Sequence, residues 1–94
     1  MNNNELKIPD QALSDKKSIE LLRVWVANKR QHISMRSGLW KDPAAWGIMI
    51  CDLMTLVAKS YQDEGGLKQD AAFRRILDGL HAELSTRKHQ MPNT

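Results

Sequence analysis

The stretch from Asp42 to Gly66 constrains the fold more tightly than any other part of the sequence. Asp42 is a favoured helix-capping residue, and Pro43 suits the first helical position, where its missing N–H would have no intrahelical partner. Gly65-Gly66 supplies a natural stop. A helix is predicted from near Pro43 to Gln62 or Asp63, about 20 residues and roughly 30 Å long. At 100° per residue, Asp52, Thr55, Lys59 and Gln62 fall on one narrow polar stripe. Trp46, Met49, Ile50, Leu53, Met54, Leu56, Val57 and Tyr61 occupy the other side, a wider arc than the roughly 100° apolar stripe of an ordinary surface helix. Such a helix needs cover from two directions.

The flanking segments supply some of that cover. From Leu67 to about Arg87, Phe73, Ile76, Leu77, Leu80 and Leu84 recur at helical spacing, and the short Gly65-Gly66 connection predicts an antiparallel helical hairpin. Upstream, Glu20 to Arg36 carries β-branched and aromatic residues on both sides of Asn28-Lys29, a pattern that predicts a β-hairpin. A two-residue turn there pairs Leu22 with Met35, Val24 with Ile33, Trp25 with His32 and Ala27 with Arg30. Leu22, Val24, Val26, Ile33 and Met35 then share one face, and Arg23, Trp25, His32, Ser34 and Arg36 share the other. A one-residue slip would scramble that segregation. The expected fold class is α+β, a β-hairpin followed by two antiparallel helices in the order β-β-α-α.

A chain of 94 residues has room for one core, and its 41% hydrophobic and 27% charged content is that of an ordinary folded protein. The domain is expected over residues 18–88, between a flexible arm at 1–17, where Leu6, Ile8 and Leu13 offer local docking contacts, and a frayed tail at 89–94. No apolar run reaches the roughly 18 residues of a membrane span, and the first residues lack a signal-peptide pattern, so a cytoplasmic location is expected. Cys51 has no partner for an internal disulfide.

Charge is unevenly spread. Residues 16–41 carry seven Lys and Arg against Glu20, a balance of +6, whereas residues 42–86 carry four bases against seven acids, a balance of −3. Arg23, Trp25, Lys29, Arg30, His32 and Arg36 make the hairpin the candidate face for an anion or single-stranded nucleic acid, since cations beside a stacking ring suit such a ligand. One aromatic is fewer than a recognition sheet presents, and a solvated face with a Trp25–His32 cross-strand pair accounts for the same residues.

Catalytic spacing is missing. His32, His81 and His89 form no metal-binding pattern, and Cys51 and Asp52 point about 100° apart on a helix. Gly65-Gly66 lacks the lysine-serine pair and leading strand of a phosphate loop. Two helices of this length around a Gly-Gly turn are unlike a DNA-reading helix pair. No catalytic residue, cofactor or metal is therefore expected, and the chain is read as not an enzyme.

An isolated two-stranded hairpin is marginal in water and exposes two edges, and the central helix keeps apolar surface that one further helix cannot cover. A second copy supplies the cover most economically, through Trp46, Met49, Ile50 and Met54 or by pairing hairpin edges across a twofold axis. The expected function is that of a self-associating, non-enzymatic module acting through protein contacts, as a homodimer; the alternative is nucleic-acid or anion binding through the basic hairpin face.

The runs Glu20–Ala27, Gln31–Ser34 and Gly38–Met49 together resemble a bacterial family of short proteins classed as a domain of unknown function, with Leu39-Trp40-Lys41-Asp42-Pro43-Ala44-Ala45-Trp46-Gly47 as the distinctive part. The resemblance spans about residues 18–62. It implies a small bacterial cytoplasmic protein and supports the β-β-α order, and it transfers no activity to any residue.

Overall fold

The computed structural model describes residues 4–87, so the tail expected at 89–94 lies outside the described residues, as do the first three residues of the arm. Along the chain run α1 (Asp10–Ser14), β1 (Leu22–Ala27), β2 (Arg30–Met35), α2 (Ala44–Asp63) and α3 (Gln69–Thr86). They fall into two units, Met1–Lys41 and Asp42–Thr94.

In the first unit the turn sets everything else. Asn28 and Lys29 both adopt left-handed backbone, with φ of 54° and 63°, the conformation that lets two residues reverse a right-twisted strand pair. β1 and β2 pair antiparallel in the expected register, Leu22 opposite Met35 through Ala27 opposite Arg30. Arg36 continues the pairing by donating its N–H to the Leu21 carbonyl at 2.8 Å.

The arm contains a short helix that the sequence pattern did not reveal. The Pro9 carbonyl accepts from the Ala12 and Leu13 N–H groups at 3.0 and 3.1 Å, and the Ser18 hydroxyl donates back to the Ala12 carbonyl at 2.7 Å. These are local polar bonds. Leu6, Ile8 and Leu13, the apolar contacts expected to dock the arm, are all exposed, so polar bonds and an ion pair take that role.

In the second unit Asp42 caps α2 as expected, its Oδ1 accepting from the Ala44 N–H at 3.0 Å. The helix ends in a Schellman arrangement: Gly66 donates to the Tyr61 carbonyl and Gly65 to that of Gln62, both at 3.0 Å, with Gly65 at φ 81°. The Gln62 side chain then accepts from the Gln69 N–H at 2.8 Å, joining the end of α2 to the start of α3. The two helices pack against each other. The buried residue of each is an alanine, Ala58 in α2 and Ala72 in α3, and no large side chain among the described residues is fully buried.

Candidate functional site

Alanine contacts bring helix backbones close but remove little apolar surface from water. What remains is concentrated on α2. Ile50, Leu53, Leu56 and Val57 are exposed, Leu56 by 66%, while Trp46, Met49 and Met54 are half-buried. All seven lie on one side of the helix. Trp46, Ile50, Leu53 and Val57 follow one another at intervals of four, three and four residues and span about 60° of arc. Ala58 sits about 110° round the helix from the middle of that line, so the seam and the buried contact are on different sides of α2.

Of the residues first singled out for self-association, Trp46, Met49, Ile50 and Met54, the structure places all on or beside this seam. It adds Leu53, Leu56 and Val57, whose signal in the sequence was the heptad interval rather than the overall breadth of the arc. Ile48 is also exposed, but it lies beside the polar stripe of Asp52 and Lys59, away from the seam.

The hairpin's basic face is organised differently. Arg23 Nε lies 2.9 Å from both Glu20 carboxylate oxygens, and a terminal nitrogen of Arg23 donates to Glu5 at 2.6 Å. The hydrogen bonds to Glu20, then that to Glu5, hold the guanidinium above its ordinary pKa. Arg36 Nε donates to the Glu20 carbonyl at 3.2 Å. His32 Nε2 is 3.1 Å from the Ala27 carbonyl, a geometry in which Nε2–H donates. Trp25 is half-buried, and Lys29 and Arg30 are exposed at and beside the turn. Arg23 is thus already engaged by two carboxylates. Glu20 was legible three residues before Arg23; Glu5, 18 residues away on the arm, carried no local signal.

Further hollows lie within the units. One of about 950 Å³ runs along α3 beside Gln62, Phe73, Arg74, Leu77 and His81, and one of about 580 Å³ lies between the arm and β1, against Leu6, Ile8, Ile19 and Trp25. Among the described residues no three His, Cys, Asp or Glu side chains are grouped to hold a metal ion, and no helix is long and apolar enough to cross a membrane. His89 lies outside the described residues.

A family model described as "Domain of unknown function (DUF5076)" matches residues 5–88, extending on both sides of the 18–62 segment that carried the resemblance. No curated protein matches the sequence. Among solved structures, the chain is similar to a protein from the photosynthetic bacterium Rhodopseudomonas palustrus, provisionally called a pyruvate dehydrogenase. The two are 28% identical with a TM-score of 0.74, over 89% of this chain and 85% of that one.

Proposed function

The chain belongs to this family, DUF5076, whose function is not defined, and on that premise we propose that it is a non-enzymatic module that self-associates through α2 and acts through protein contacts. The observation that carries the reading is the exposed apolar side of α2, beside two alanines as the buried residues among those described.

The basic hairpin face draws less support as an anion platform, because Arg23 is held by Glu20 and Glu5 and its charge is answered within the chain. The name given to the Rhodopseudomonas relative belongs to that protein and enters here only as an outcome of the test.

Light scattering across low to high micromolar concentration reads the mass directly. The expected result is twice the 10.7 kDa of one chain, and a single-chain mass throughout overturns the reading. Pyruvate-dependent turnover with an added electron acceptor is expected to be absent, and its presence would remove the non-enzymatic part.

A further inference from the structure

The side of β1 that faces away from β2 is an open strand edge. Arg36 bonds to Leu21, and in that register Arg23, Trp25 and Ala27 turn their N–H and C=O groups toward β2, while Leu22, Val24 and Val26 turn theirs outward. Such an edge is a template on which another extended chain can pair. The arm lies beside it. The hollow of about 580 Å³ is lined by Leu6 and Ile8 from the arm and by Leu22, Val24 and Trp25 from β1. Residues 5–9 form no backbone hydrogen bond with β1, so the arm flanks the edge without becoming a third strand.

Charge, rather than apolar burial, holds the arm in this position. Chain ends stay loose unless something ties them down, and Leu6 and Ile8 are 90% and 52% exposed, so neither anchors it. The tie is the bond from a terminal nitrogen of Arg23 to Glu5, 2.6 Å long across 18 residues of sequence. Glu20 prepares it: by accepting from Arg23 Nε with both carboxylate oxygens at 2.9 Å, it fixes the guanidinium and leaves a terminal nitrogen for Glu5. At the other end of the arm, the Ser18 hydroxyl bonds the Ala12 carbonyl at 2.7 Å and roots α1 near the start of the hairpin. Residues 5–9 therefore run between a fixed root and a charged latch. The Arg23 and Glu5 side chains are 40% and 45% exposed, and an ion pair so open to solvent shifts an equilibrium by no more than about fivefold. Opening is within thermal reach.

We propose that residues 5–9 form a strap over the open edge of β1, latched by Glu5 on Arg23 and released by ionic strength. With the latch closed, the strap stands between that edge and any approaching strand. With it open, the outward groups of Leu22 and Val24 and the ring of Trp25 are uncovered together. Glu20 is a positioning residue for the latch, and the device works within the first unit, independently of α2.

Two measurements on the full chain test it. Trypsin cleavage after Lys7 reads the open fraction, because local cutting tracks the population of the open form. At low salt Glu5→Gln is expected to be cut about two- to fivefold faster than wild type. In about 1 M salt, where the screening length falls to about 3 Å, the two rates should converge. In chain labelled with fluorotryptophan, the Trp25 fluorine signal, assigned by its loss in Trp25→Phe, is expected to shift in Glu5→Gln while those of Trp40 and Trp46 stay in place. Equal cleavage at low salt, or a ratio that salt leaves unchanged, would overturn the latch. Faster cleavage with an unmoved Trp25 signal would overturn the strap, since the loosened arm would then not have covered β1.

Discussion

The two units are both antiparallel pairs reversed by left-handed backbone, at Asn28-Lys29 in one and at Gly65 in the other, and they handle their surplus surface in opposite ways. In the hairpin, one face is apolar and exposed through Val24, Val26, Ile33 and Met35, while the other is laced by polar bonds from Arg23, His32 and Arg36. Its register is fixed by backbone pairing and by the turn. In the helical pair, the backbone is satisfied within each helix, so nothing in the hydrogen bonding chooses a partner. The choice falls to side-chain spacing, and on α2 that spacing is regular. A strand's apolar face is generic, whereas a heptad seam prescribes direction and register.

The contrast is best broken at the seam itself. Leu53→Glu sets a carboxylate in the middle of the exposed apolar side of α2, where burying an unpaired charge in the proposed self-association contact costs several kcal/mol. Association should weaken by at least about a hundredfold. Light scattering of that variant beside Val26→Glu, on the exposed hairpin face, would sharpen the comparison: loss of the assembly in both would place the hairpin in the contact as well.

The next effect is on α3. Gly79 sits inside the helix with open space where a Cβ would go. Gly79→Ala should stabilise the chain by roughly 1 kcal/mol through helix propensity, a rise of about 4–8 °C in the melting midpoint for a domain of this size. Its association by light scattering should stay unchanged.

A smaller gain is expected in the hairpin turn. Lys29 holds a φ of 63° that a residue with a Cβ adopts at a cost. Lys29→Gly should stabilise the hairpin by roughly 0.5–1 kcal/mol, after the extra entropy of glycine is subtracted, as read by urea denaturation.

The smallest effect belongs to Arg23→Gln. Its ion pairs are solvent-exposed and screened, so the melting midpoint should barely move, while the arm loses the Glu5 bond and trypsin should cut faster after Lys7. The sign of the pH response follows from the raised pKa of Arg23. Stability from this group is fully present below the ordinary guanidinium pKa and lost only as pH rises through the higher folded value. Arg23 itself therefore adds no slope to a stability profile between about pH 6 and 9.

Much of this was legible from residue order because it is decided within a few residues. The Asn28-Lys29 turn and the alternation around it gave the full strand register. Asp42-Pro43 and Gly65-Gly66 gave the limits of α2 to within a residue. α1 escaped because Asp10 to Ser14 has only five residues, too few for a hydrophobic period, and is built on hydrogen bonds to Pro9. The α2 seam was half-read: the width of the apolar arc drew attention to Trp46, Met49, Ile50 and Met54, and the line through Leu53 and Val57 became distinct only once the α3-facing side was known.

Turns, caps and strand register, then, were determined by the sequence alone, since backbone dihedral preference and side-chain period act between near neighbours. The tertiary structure decided which apolar residues were hidden and which polar groups met. That α2 and α3 bury alanines rather than leucines, and that Glu5 reaches Arg23 from 18 residues away, depend on how distant segments approach in space. No local preference encodes that approach, because its free energy arises only when the surfaces meet.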